Sequence, residues 1–311
     1  KVDFHLVTIT SLPFEGLHFD TINNVSPSIL SEQHLDDSER NGFLVLEEFA
    51  DQATCDAMYR SAVAITRASA NDEPIGDTEV VPETILNPEA KHPEENVAKI
   101  TRLHHEIGIF AEFIHRPEVG ELIGKFLGDA VDCFASSVLF KHTRSLGQPS
   151  HQHARYYRMQ PSNQISLWLA VTKTTIDSSP LWVLPGSHRE PVHPVDPDLR
   201  VGARPGYVAI TDHEMGACIP LLVEQRSVIF FGPQVMHRST GNLTDIPRVT
   251  TLYHFGSAEP HDPSVHLDEE GWASHVREIA EESPTAAGAF QERSRNLWLS
   301  LIHISEPTRL G

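Results

Sequence analysis

The chain has 311 residues, 40% hydrophobic and 22% charged, which are ordinary values for a globular protein, and a formal net charge of −19. That acidity argues against a basic nucleic-acid-binding face and against attraction to anionic membranes, and no apolar run reaches the length of a membrane span. Cys55, Cys133 and Cys218 are odd in number and lack zinc spacing, so a reducing compartment is expected, with the cytoplasm as the location. The absence of a leading Met and of a signal-peptide pattern suggests an N-terminus cut from a longer chain.

The first twenty-five residues alternate weakly and carry no readable chemistry. Residues 28–40 read as a short helix ended by Asn41-Gly42, a left-handed stop signal, and 43–46 as a short strand. Asp51 is a good N-cap for a helix to about Ala68, with Cys55, Met58, Ala62 and Ile65 on one face. Residues 69–96, rich in Pro, Asp, Glu and Asn, read as a long loop of the kind that serves as a lid. From Val97 to Leu127 apolar residues recur at helical spacing, divided into two helices by Pro117 and closed by Gly128. His104 and His105 fall on this stretch and read as ordinary surface or packing histidines.

After Gly128 the texture becomes short strands separated by Pro, Gly, Ser and Asn. They are expected over 130–141, 165–171, 181–184, 207–210, 227–231 and 249–255, the pattern of an antiparallel sandwich or barrel. No internal repeat and no nucleotide-binding glycine motif is present. Residues 268–298 read as helical, and 299–311 as a non-native tail similar to a translated adaptor.

Chemistry concentrates in two segments. His151 and His153 stand one residue apart in the first; His237, Ser239 and Arg248 lie in the second. On a strand, residues i and i+2 share a face, so two imidazoles could grip one metal. Nineteen histidines would yield about one such pair by chance, so exposed sheet-edge histidines remain the plainer reading of the pair alone.

The two segments together resemble the phytanoyl-CoA dioxygenase family of iron(II)/2-oxoglutarate oxygenases. The family pattern is His-x-Asp, a strand bearing Trp, an LxxxPGSH segment, then a distal His followed by Ser at +2 and Arg at +11. Here these are His151, Trp168, Leu181 to His188, His237, Ser239 and Arg248, and the resemblance runs over about residues 38–256. His153 stands where the family has Asp.

The resemblance implies that the β-rich core at 129–256 is a double-stranded β-helix, or jelly roll; with the helical parts read at 28–128 and 268–298, an all-β core with flanking helices in one domain of 1–298 is expected. It implies Fe(II) held by His151, His153 and His237, with 2-oxoglutarate and O2 as co-substrates and a small molecule as substrate. Arg248 and Ser239 would bind the far carboxylate of 2-oxoglutarate, with Trp168 beside the metal or, equally, a plain core aromatic. Tyr156, Tyr157, Arg158 and Lys141 are candidates for the substrate pocket. The Pro185-Gly186 turn reads as structural, its glycine permitting a positive φ.

A neutral imidazole at 153 removes one negative charge from the ligand set, which should loosen metal retention and make Fe(II) harder to oxidise. Imidazole also fills the space a halide would need, so halogenation is not expected. Two alternatives stay open: a three-histidine dioxygenase that dispenses with 2-oxoglutarate, and a non-catalytic family member that binds a ligand or structural zinc.

Overall fold

The computed structural model describes residues 30–104, 108–128, 131–143, 145–156, 164–204 and 206–257. The expected helices at 268–298, the extreme N-terminus and the tail lie outside these residues.

Helix α1 (Glu32–Asn41) starts at Ser31, whose side chain accepts the His34 N–H, and stops at Gly42 in the left-handed region at φ 85°. Strand β1 (Phe43–Leu46) follows directly. Helix α2 (Gln52–Ala70) is capped by the Asp51 side chain, 2.7 Å from the Thr54 N–H. Its buried face includes Cys55, Met58, Ala62 and Ile65, as the periodicity predicts.

Two expectations are corrected in the next stretch. The 69–96 loop contains a strand, β2 (Glu79–Pro82), and the supposed helix at Val97 begins as strand β3 (Val97–Thr101). The apolar spacing there fits a helix, but pairing of Ile100 with Val138 and of Lys99 with Leu139 decides for the sheet. Helices α3 (Gly108–Ile114) and α4 (Pro117–Leu127) then divide at Pro117 as expected.

The barrel begins with β4 (Val131–Lys141) and a four-residue helix α5 (His153–Tyr156). Then come β5 (Gln164–Ala170), β6 (Leu181–Val183), β7 (Val195–Pro197), β8 (Val208–Ile210), β9 (Ile219–Leu221), β10 (Val228–Phe231), β11 (His237–Ser239) and β12 (Arg248–Ser257). All pairings are antiparallel: a seven-stranded sheet β1-β10-β5-β12-β4-β3-β2, a three-stranded sheet β11-β6-β9 and the pair β7-β8. The fold is a jelly roll flanked by helices. Strands β7, β9 and β11, three residues each, were too short to be read from alternation.

Strand alternation sorts the large sheet into two faces. Leu167, Leu169, Phe230, Val249 and Tyr253 point toward the helices and pack in one cluster with Met58, Phe113 and Leu122. The opposite face looks into the barrel, where Trp168, Ile229 and Phe231 cluster with Val183, Leu221 and Val235. The interior face of β12 therefore carries Arg248, Thr250, Leu252 and His254 in sequence, paired on β5 with Ala170, Trp168 and Ser166 for the last three.

The turn holding Gly186, at φ 81°, anchors the barrel to the N-terminal region. His188, two residues on, places its Nε2 3.0 Å from the Glu39 carbonyl oxygen and packs its ring against Gly42. A Cβ at Gly42 would lie 2.4 Å from His188 Nδ1, in a conformation that L side chains rarely adopt. Gly42→Ala is expected to destabilise by about 2 kcal/mol, seen as a Tm lower by roughly 4–8 °C in a thermal melt.

Candidate metal centre

Two of the candidate ligands are fixed by the same local device. His151 and His237 form a β-bridge, each N–H donating to the other's carbonyl at 3.0 Å. Each imidazole then turns back on its own chain: His151 Nδ1 donates to the Pro149 carbonyl and His237 Nδ1 to the Val235 carbonyl, both at 2.8 Å. A carbonyl only accepts, so Nδ1 carries the proton and each Nε2 offers a lone pair.

His153 arrives differently. It begins helix α5 rather than sharing a strand face with His151, which corrects the i, i+2 argument. The chain bends at this point because Ala154 N–H donates to the Pro233 carbonyl at 2.9 Å. His153 Nε2 nonetheless lies 3.1 Å from His237 Nε2, and the candidate donor atoms of the three histidines fall within 4.8 Å of one another. Gln152, between the pair, faces away: its amide donates to the Pro191 and Gln234 carbonyls and its oxygen accepts the His193 N–H. Ser187, in the turn that follows Gly186, accepts the Met236 N–H at 2.9 Å and so holds the residue before His237.

All three rings are buried, and the Phe231 ring lies 5.2 Å from His153 and 5.0 Å from His237. Burial pushes all three imidazoles below their ordinary value, His237 to about 4, with the His237 charge adding to the effect on His151 and His153. At neutral pH the cluster is three uncharged nitrogen donors aimed at one point.

A fourth histidine belongs to this group, and the sequence reading missed it. Ser166 Oγ lies 2.8 Å from His153 Nδ1 and 3.0 Å from His254 Nδ1, with the His153 and His254 rings 4.7 Å apart. Burial lowers His254 to about 3. The available signal was parity: His254 is six residues beyond Arg248 on one strand, hence on the same face.

Arg248 is 4% exposed, its Nη1 donates to Thr250 Oγ1 at 3.0 Å, and its guanidinium lies 5.6 Å from the Trp168 ring centroid. Its buried Nε has no acceptor, and it forms no ion pair among the described residues. Burial brings its pKa down to about 10, so it remains a cation at neutral pH. Trp168 is thus both a core aromatic and the surface under the guanidinium.

Ser239 Oγ accepts the Gln148 N–H at 3.0 Å, and Gln148 Nε2 donates to the Tyr156 hydroxyl at 3.3 Å. Tyr156 in turn sets its ring edge-on to His151 at 5.5 Å, so these two residues brace the first ligand segment. Lys141 faces Arg248 across β4 and β12. Tyr157 and Arg158 lie outside the described residues, as does His105. His104 is buried with Nδ1 2.8 Å from Ser136 Oγ, a packing histidine that is not one of the cluster of three.

The fold and this cluster define a jelly-roll protein whose interior carries a metal-competent set of imidazoles and an unpaired guanidinium. Residues 38–250 match the family described as phytanoyl-CoA dioxygenase (PhyH), and the chain belongs to that family. Phytanoyl-CoA dioxygenase, peroxisomal, of Homo sapiens is 26% identical over 262 residues, covering 82% of this chain and 76% of that protein. Phytanoyl-CoA dioxygenase domain-containing protein 1 of Bos taurus is 24% identical over 271 residues, covering 74% and 91%. Among solved structures, EctD from S. alaskensis with bound Fe superposes with a TM-score of 0.60 at 18% identity, covering 76% of this chain and 79% of that one. EvdO2 from Micromonospora carbonacea var. aurantiaca, complexed with 2-oxoglutarate, gives 0.56 at 18% identity, covering 74% and 91%.

Proposed function

We propose that the chain is a non-haem Fe(II)/2-oxoglutarate-dependent dioxygenase, hydroxylating a small-molecule substrate, with the metal held by His151, His153 and His237 and the co-substrate anchored by Arg248. The observation that carries this reading is the pairing of three neutral, converging imidazoles with a buried cation that lacks an anion. Each half fits its group. Neutral nitrogen donors with their second ring nitrogen already bonded are what a divalent metal requires. A planar guanidinium fork with a vacant Nε–H suits a carboxylate.

Bound Fe(II) supplies O2 chemistry coupled to oxidative decarboxylation of 2-oxoglutarate to succinate. The chain's own part is to position and to exclude. The carbonyls of Pro149 and Val235 fix two ring orientations, Ser166 fixes the third, and Phe231 with the surrounding apolar cluster keeps water from the imidazoles. Solved structures of similar fold that hold 2-oxoglutarate or Fe support the assignment. One domain is proposed for the whole, supported by a single sheet that joins β1 to β12. Among the described residues no helix is long and apolar enough to cross a membrane; a cytoplasmic location is proposed on the three free cysteines.

The test is metal analysis of the purified protein together with succinate release from 2-oxoglutarate under air. Iron with succinate production is the expected result; zinc with no succinate would favour a ligand-binding relative instead. The reading without 2-oxoglutarate rests on the imidazole at 153, and it requires iron-dependent O2 uptake that 2-oxoglutarate does not stimulate.

His153→Asp separates these readings further. It exchanges a neutral donor for an anionic one beside a divalent ion, so Fe(II) retention is expected to tighten by about tenfold after the desolvation of the carboxylate is counted. Chelator competition measures this. In a dedicated three-histidine enzyme the same change should keep the metal and lower turnover, and if His153 is a bystander neither quantity moves.

A further inference from the structure

Beside the β7–β8 pair a second group of imidazoles and carboxylates converges, sharing no residue with the cluster of three. Val195 of β7 pairs with Ile210 of β8, and two residues past the end of that ladder His193 meets Asp212, Nδ1 to Oδ1 at 3.0 Å. On the other side of the ring, His193 Nε2 lies 3.2 Å from Glu190 Oε2. The same oxygen lies 3.2 Å from His213 Nε2, while His213 Nδ1 is 3.0 Å from the Glu214 carbonyl oxygen. The two rings stand nearly perpendicular, at 83°, with centroids 5.3 Å apart. Among the described residues neither Glu190 nor Asp212 has a lysine or arginine partner, and Arg189 donates instead to the Glu39 and Arg40 carbonyls.

These contacts ask for more cations than two neutral rings supply. A neutral imidazole has one N–H and one lone pair. In both rings Nδ1 faces an oxygen that only accepts, so Nδ1 carries the proton and Nε2 keeps its lone pair. Both lone pairs then point at one carboxylate oxygen, acceptor against acceptor. Either each ring takes a second proton, or one metal ion is shared by all three donors. The shared oxygen favours the metal: two imidazolium rings would crowd two positive charges onto a single oxygen, whereas one divalent ion takes all three lone pairs and charges neither ring. The spacing agrees, because tetrahedral ligands bonded at about 2.0–2.1 Å lie about 3.3 Å from one another, and both Nε2–Oε2 edges are 3.2 Å. The open edge is the one between the two Nε2 atoms, since only the inner trio has every donor within 4.8 Å among the described residues. Turning the His213 ring, 26% exposed, toward the better-buried His193 closes it.

We propose that Glu190, His193 and His213 form a second metal site, for a zinc-class divalent ion, with Asp212 and the Glu214 carbonyl orienting the two imidazoles. Two histidines and one glutamate are a donor set that holds zinc, and an acceptor behind each Nδ1 is the usual support of a metal-binding imidazole. The ion joins the segment that follows the Gly186 turn to the segment that follows β8. That junction touches both segments that carry the inner histidines. Gln152, between His151 and His153, accepts the His193 N–H at 2.8 Å, and Gln234, three residues before His237, donates to the Glu190 carbonyl at 3.1 Å. The role of the site is therefore structural: a bound ion fixes the backbone on which the inner histidines are set.

The experiment is saturation of the full chain with zinc, removal of free metal and plasma emission counting, with thermal melts of the same samples. The wild type is expected to keep two zinc ions per chain. His193→Ala, His213→Ala and His151→Ala should each keep one, and the double variant His151→Ala/His193→Ala none. Glu190→Gln, which preserves shape and removes the charge, should lose the same ion as His193→Ala. Asp212→Asn should weaken that ion roughly 10- to 100-fold in chelator competition. Zinc should raise the Tm of His151→Ala and leave that of the double variant unchanged. If His193→Ala and Glu190→Gln keep all the zinc of the wild type, the site is overturned. If in addition the metal-free Tm falls in His193→Ala at acidic pH alone, the cluster is an ion pair of protonated histidines. Zinc that is lost in His193→Ala but kept in full by His151→Ala leaves this site standing and removes the inner centre, so the two readings fail separately.

Discussion

His151→Ala and His237→Ala are each expected to reduce iron to background, a loss of affinity greater than about 100-fold, while His104→Ala leaves metal content unchanged. Each of the first two removes one of the three donors that converge among the described residues and also a ring whose orientation the backbone has already fixed. The remaining pair cannot complete a three-donor face, and the void left by the imidazole is lined by Phe231, which offers no replacement ligand. His104 is equally buried, but its Nδ1 is spent on Ser136, so its loss costs packing and not metal. Plasma emission analysis of the dialysed variants, with chelator competition for any that retain iron, reads the result. Equal metal in all three proteins would dissolve the centre.

Much of this geometry is legible in the sequence, and the reasons for the remainder are physical. The helix at 52–70 announces itself through Asp51 and a repeating apolar face, and β5 and β12 through long alternating runs. Strand β3 does not, because Val97, Ile100 and Leu103 are spaced as a helix would space them and only the partner strand decides otherwise. The ligand set was readable from spacing, but its mechanism was not: His153 reaches the cluster from a helical turn, which parity along a strand cannot foresee. His254 and Ser166 escaped for a related reason. Each looks ordinary in sequence, and they meet only because β12 and β5 pair with His254 opposite Ser166. The same holds for Lys141 and Arg248, 107 residues apart in number yet directly opposed in register. Cross-strand register is the information one sequence holds least openly.

Arg248→Met is expected to weaken 2-oxoglutarate binding by about 2–5 kcal/mol, roughly 30- to 5,000-fold, with iron content near normal. The guanidinium is the buried cation on the interior face of β12, and Met keeps its length and its contact with Trp168 while discarding the charge and the vacant Nε–H. The metal should stay because Arg248 is not among the converging donors. A structural role for this arginine predicts a different pattern. If its purpose were to hold β12 in place through Thr250, the variant would unfold at lower temperature, and co-substrate affinity would follow stability. If its purpose is to wait for an anion, the empty protein carries a desolvated charge at a cost, and removing it should leave Tm unchanged or raised. Calorimetry with 2-oxoglutarate and a thermal melt of the same preparation therefore read two signs. Weaker binding with an equal or higher Tm assigns Arg248 to the co-substrate; unchanged affinity with a lower Tm assigns it to the fold and removes the anion-binding role.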